Sequence, residues 1–111
     1  MIKILKTSEY EELLRYNYKQ KYALFDLETE SLNLYAAKPW QIAWSVFDKN
    51  TQYSFQSRFL YWKDLNISAD AKRVTNFNES EYRQKAEDPI KVLKEFEEVL
   101  YDPSMIITGH N

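Results

Sequence analysis

The chain has no cysteine, so neither a disulfide nor a thiolate metal site is open to it. It has a single glycine, Gly109, which excludes a P-loop or a GxGxxG dinucleotide loop, since each needs several. No apolar run approaches the roughly 20 residues that cross a bilayer, and Met1–Tyr10 lack the apolar stretch and cleavage site of a signal peptide. The expectation is therefore a soluble intracellular protein with no membrane partner. An excess of positive charge is also missing. With 15 basic and 17 acidic side chains the formal net charge is -2, so no global basic field advertises nucleic-acid binding. A local basic groove is compatible with that balance. What the chain does have is 111 residues, 44% of them hydrophobic and 16% aromatic, enough for one domain with a real core.

The most informative stretch is YALFDLETESL, residues 22–32. Tyr22, Ala23, Leu24 and Phe25 form a continuous apolar run, the pattern of a central strand covered on both faces. Side chains two apart on a strand share a face. Asp26 and Glu28 are therefore expected to project together from its end, with Leu27 pointing away into the core. Two like charges side by side raise the pKa of one carboxyl unless a cation neutralises them. A divalent ion that prefers oxygen ligands is the usual partner.

The rest of the chain supplies recognisable elements. Ile2, Ile4 and Leu5 suggest a short opening strand. Ser8 with Glu11 forms a capping box, and Tyr10, Leu13, Leu14 and Tyr18 give an apolar stripe for a helix over 9–18. Residues 33–39 read as a loop with Pro39 as its stop. Trp40, Ile42, Trp44 and Val46 alternate with Gln41, Ala43 and Ser45, predicting a strand whose tryptophans serve the core. Asp48-Lys49-Asn50-Thr51 is turn chemistry, and Tyr53, Phe55 and Phe59 complete a hairpin over 40–59. Residues 60–87 are the least regular part, with Ser68 capping a short helix to about Val74. Lys63, Lys72, Arg73, Arg83 and Lys85 are interleaved there with Tyr61, Trp62, Phe77 and Tyr82, a composition that can grip a single strand; a solvated irregular surface is the simpler reading. Asp88-Pro89 opens the clearest helix. Ile90, Leu93, Phe96 and Leu100, with Val92 and Val99, form its expected buried face, while Lys91, Lys94, Glu95, Glu97 and Glu98 face water. Asp102-Pro103 ends it, and Met105-Ile106-Ile107-Thr108 reads as a short strand running into Gly109-His110-Asn111.

With FDLETESLN at 25–33 and ITGHN at 107–111, the chain resembles the start of a DEDD-superfamily 3′–5′ exonuclease domain. In layout it is most similar to the proofreading domains of family A DNA polymerases and to ribonuclease D. The likeness covers most of residues 2–111 in layout but only two short motifs in sequence. It implies an α/β, ribonuclease H-like mixed sheet flanked by helices, with the first three strands antiparallel and a fourth parallel to the first. Asp26 would bridge two Mg²⁺ or Mn²⁺ ions, and Glu28 would hold the ion on the nucleophile side. Backbone around Glu28 and Thr29 would contact the terminal nucleotide, Leu32 would wedge against its base, Asn111 would lie beside a phosphate, and His110 of the GHN motif would belong with them to the substrate-binding residues. The implied reaction is two-metal phosphodiester hydrolysis at the 3′ end of single-stranded nucleic acid, DNA before RNA. A polymerase domain in the same chain or complex is the implied partner.

The family pattern also asks for a third carboxylate a few residues past GHN and for a last motif with a His or Tyr base and a fourth Asp. Both would fall beyond Asn111. Residues 1–111 are accordingly expected to be the N-terminal part of one exonuclease domain, catalytically incomplete. The alternatives are an RNA-trimming enzyme of the ribonuclease D type, and a non-catalytic module that binds nucleic acid or protein on the same fold.

Overall fold

A computed structural model describes residues 20–33 and 35–110, with the backbone alone at His110. The strand expected over 2–5, the helix expected over 9–18 and Asn111 lie outside the described residues. The elements run β1 (Lys21–Thr29), β2 (Pro39–Phe47), β3 (Gln52–Phe59), α1 (Ala69–Thr75), α2 (Glu79–Lys85), α3 (Pro89–Leu100) and β4 (Met105–His110). The strands form one sheet in the order β3-β2-β1-β4. β1 is antiparallel to β2 and β2 to β3, whereas β4 runs parallel to β1. This is the mixed α/β sheet expected. A parallel neighbour requires a crossover, which the three helices between β3 and β4 provide. None of the described helices is long and apolar enough to cross a membrane.

β2 carries the strongest pattern in the chain and behaves as its alternation demands. Trp40, Ile42, Trp44 and Val46 are all buried, while the residues between them are half-buried. Pro39 begins this strand rather than ending the loop before it, a position where its missing N–H breaks no ladder bond. The hairpin to β3 closes as Asp48 Oδ1 accepts from Asn50 N and Thr51 N, both at 2.8 Å.

α3 lies over one face of the sheet. Val92 and Phe96 pack on Ile42, Trp44 and Leu60, with Phe25, Trp62 and Val99 against them. Burying side chains of this size stabilises by about 1.5–3 kcal/mol each. The buried face is narrower than the sequence suggests, following 92, 96 and 99. Ile90 is 65% exposed, and Leu93 and Leu100 are also exposed. Glu95 turns inward from the solvent side to pair with Arg58, at 2.6 Å. Arg58 also takes the Glu87 carboxylate in a two-pronged contact. A β3 cation thus fastens both the entrance and the body of α3 to the sheet.

The stretch 60–87 is more ordered than its composition suggests. Ser68 does cap α1, its hydroxyl accepting from Ala71 N, and Asn76 ends it in the left-handed conformation at φ 56°. A further helix, α2, follows with Asn78 as its cap. A second core cluster, Trp40 with Ile67 and Tyr82, anchors this region. The Tyr82 hydroxyl donates to Leu60 O at 2.7 Å and accepts from Trp62 N at 2.9 Å. Tyr82 is the lone buried residue of α2, which is why no periodicity betrays this helix.

A candidate carboxylate site at the end of the first strand

The site grows from two neighbouring parallel strands. β1 and β4 run side by side in register, with Phe25 opposite Gly109 and Asp26 opposite His110. Their carboxyl ends therefore open on the same edge, where open α/β sheets characteristically hold ligands. Asp26 and Glu28 face Ala43 and Gln41 of β2, two positions apart on β1 and so directed to one side of the sheet. Phe25 belongs to the opposite, α3-covered face, where its ring lies 5.6 Å from Phe96.

Two expectations about β1 need correction. The strand is central but not covered on both faces by described elements, since Leu24, beside Asp26 on the carboxylate side, is exposed. Leu27 does point away from the carboxylates, yet it is 42% exposed, because the helix that covers Phe25 does not extend over the strand's end. There it lines a cavity of about 540 Å³ together with Glu28, Thr29, Leu32 and the α1 residues Ala71 and Val74.

The direction of the shift is as anticipated, but repulsion is its lesser cause. Glu28 has its pKa raised, first by burial and second by the Asp26 charge beside it. The Thr29 hydroxyl donates to Ser31 O at 2.8 Å, holding the turn that leaves the strand. Leu32, which lines the cavity, is 96% exposed. The backbone of His110 lies beside Asp26.

One residue essential to this geometry escaped the sequence reading. Glu30 is a charged side chain with 6% exposure. Its carboxylate accepts from Lys38 N at 2.7 Å and Asn66 N at 2.6 Å and pairs with Lys38 Nζ at 3.2 Å. Its backbone carbonyl accepts from Ser68 N, and its N–H donates to Lys38 O. Burial opposes the charge most strongly, but the Lys38 and Asn66 N–H groups and the Lys38 ammonium outweigh it and hold the carboxyl below its ordinary value. Glu30 thereby binds the end of β1 to the entry of β2 and to the entry of α1. The available signal was a third acidic residue at the same alternate spacing, 26, 28 and 30.

The donor set suits a hard divalent cation only in part. Asp26 and Glu28 offer carboxylate oxygens, but among the described residues no group of three or more His, Cys, Asp or Glu converges. These two residues would hold one side of an ion and leave positions for further oxygens.

No protein-family model matches the chain, and no curated protein matches its sequence. Solved structures do match in shape. They include Escherichia coli exonuclease I in complex with a dT13 oligonucleotide (TM-score 0.71, 19% identity, 84% of this chain and 21% of that one). Others are a product-bound exonuclease I (TM-score 0.72, 19% identity, 83% and 22%) and a moderately thermophilic exonuclease I from Methylocaldum szegediense (TM-score 0.72, 16% identity, 83% and 20%). The chain spans about a fifth of the length of these structures. The four-stranded sheet, its parallel β1–β4 pair and the helices between β3 and β4 together make the ribonuclease H-like α/β fold that this chain shares with those exonuclease I structures.

Proposed function

We propose that residues 1–111 form the N-terminal part of a metal-dependent 3′–5′ exonuclease domain that hydrolyses phosphodiester bonds at the 3′ end of single-stranded DNA. The observation that carries this reading is the Asp26–Glu28 pair at the carboxyl end of β1, beside parallel β4, in a fold shared with exonuclease I. Asp26 and Glu28 present the oxygen ligands, and the raised pKa of Glu28 marks a pair that a cation would relieve. Mg²⁺ or Mn²⁺ bound there would polarise the scissile phosphate and activate water. Leu32 at the cavity mouth would wedge the terminal base, and the Thr29 backbone would contact the terminal nucleotide. His110 and Asn111 would flank a phosphate.

DNA is favoured over RNA because one of the similar structures is exonuclease I holding an oligothymidylate. Proofreading beside a polymerase domain is the setting that the DxET and GHN motifs suggest. A third and a fourth carboxylate from elsewhere in the parent protein would complete the site.

The test has two arms. In the parent protein, Asp26→Ala should abolish metal-dependent trimming of a 3′-labelled single strand with the fold retained by circular dichroism; trimming that survives in Mg²⁺ refutes the assignment. In the 111-residue chain, calorimetry should find weak Mn²⁺ binding that Asp26→Asn eliminates. Tight stoichiometric binding would show that other side chains complete the site.

A further inference from the structure

A second cavity, of about 350 Å³, opens on the other side of α1. Its rim brings together Lys63, Lys72 and Arg83, three of the five basic residues scattered through 60–87. The remaining two are engaged elsewhere, Arg73 with Asp70 at 3.2 Å and Lys85 with Glu81 at 3.1 Å. One acid, Glu79, shares the cavity and pairs with Arg83 at 2.8 Å. Lys63 and Lys72 have no acidic partner among the described residues. Two unpaired ammonium groups over one concave surface define a place for an anion. Four aromatic residues, Tyr61, Trp62, Phe77 and Tyr82, also line the cavity. Tyr82 and Phe77 are fixed against each other and against Trp40, whereas Tyr61 is 51% exposed.

Position matters as much as composition. α1 is a shared wall, since Lys72 lines this cavity while Ala71, Val74 and Thr75 line the cavity beside Glu28. The Asn66 N–H, on this cavity's segment, is bonded to the Glu30 carboxylate two residues beyond Glu28. The two concave surfaces are therefore linked through α1 and through one strand end.

We propose that this cavity is a nucleotide subsite for single-stranded nucleic acid, distinct from the terminal-nucleotide site. A backbone phosphate lies against Lys63 and Lys72, and a base stacks on Tyr61. The subsite rests on the nuclease reading for its relation to the carboxylates, but its binding is independent of metal. It would hold a strand whose end occupies the Glu28 cavity, so that engagement persists when the end is cleaved.

The probe is a short fluorescein-labelled oligothymidylate, its anisotropy followed over a salt series in EDTA. Lys63→Glu with Lys72→Glu should weaken binding at least about tenfold and reduce the salt slope by about 1.4, the value for two phosphate contacts on a single strand. Tyr61→Ala should weaken binding about tenfold with the slope unchanged, as loss of a stacked base does. The control, Arg73→Glu with Lys85→Glu, makes the same change of charge outside the cavity and should weaken binding less than threefold. Absence of binding by the parent sequence, unchanged affinity in the cavity variants, or an equal loss in the control would overturn the subsite. Failure of the nuclease reading is seen separately, as Mn²⁺ binding that is insensitive to Asp26→Asn.

Discussion

Glu28 and Glu30 stand two residues apart on one strand end, yet their carboxyl groups are driven in opposite directions. Burial and the neighbouring Asp26 raise Glu28, so its stabilising protonated form is lost as pH rises through the raised pKa. In the absence of metal, Asp26→Asn should therefore stabilise the protein at neutral pH, by about half a kcal/mol for a pair this accessible. A melting temperature raised by about 2–4 °C in EDTA is the expected reading, together with lost Mn²⁺ binding. Glu30 behaves in the reverse sense. Its lowered pKa means stability that is present above the ordinary carboxylate range and lost as pH falls through the folded value. Glu30→Ala would strand the N–H groups of Lys38 and Asn66 and the Lys38 ammonium, at a cost of about 3 kcal/mol. Urea unfolding measures this, and an effect under 1 kcal/mol would show that Glu30 is not the tie described.

Among the elements, α3 offers the sharpest check. Val92 is fully buried, whereas Ile90 is 65% exposed. Val92→Ala should cost about 2 kcal/mol and Ile90→Ala less than about 0.5 kcal/mol. Equal costs would mean that the helix sits rotated from the orientation found here. The sequence made α3 itself plain, through Asp88, Pro89 and an apolar period, but not its rotation. Six apolar residues allow more than one face, and the choice falls to Arg58, which draws Glu87 and Glu95 toward the sheet. β2 needed no such arbitration because a two-residue period leaves one answer. α2 was illegible for the opposite reason: one buried tyrosine makes no pattern, and the helix depends on the Asn78 cap and on tertiary contact. Asp26 and Glu28 were legible from strand spacing and motif alone, whereas Glu30 was not, since its partners lie 8 and 36 positions away in sequence.

For the molecule as a whole, these carboxylates shape a pH profile. Glu87, held low chiefly by its bond to Arg58, adds to Glu30 on the acid limb, while among the described carboxylates Glu28 opposes on the neutral side. Chemical denaturation in EDTA should show stability falling on acidification through the depressed values of Glu30 and Glu87. It should show a smaller decline as pH rises through the raised pKa of Glu28. In Glu30→Gln the acid decline should flatten; an unaltered limb would place the acid sensitivity elsewhere. At this scale the sheet order followed from the sequence because each strand had its own pattern and the motif resemblance fixed the parallel fourth. The joining of two cavities through α1 and Glu30 did not follow, being a property of three distant segments meeting. Gly109 belongs to this scale too. A Cβ there would stand 3.2 Å from Phe25 Cζ, and that ring is already engaged with Phe96. Positions 25 and 109, although 84 residues apart in the chain, are therefore coupled: a methyl group on β4 obliges the ring on β1 to yield by a few tenths of an ångström, so the cost of Gly109→Ala should fall when Phe25 is made smaller as well.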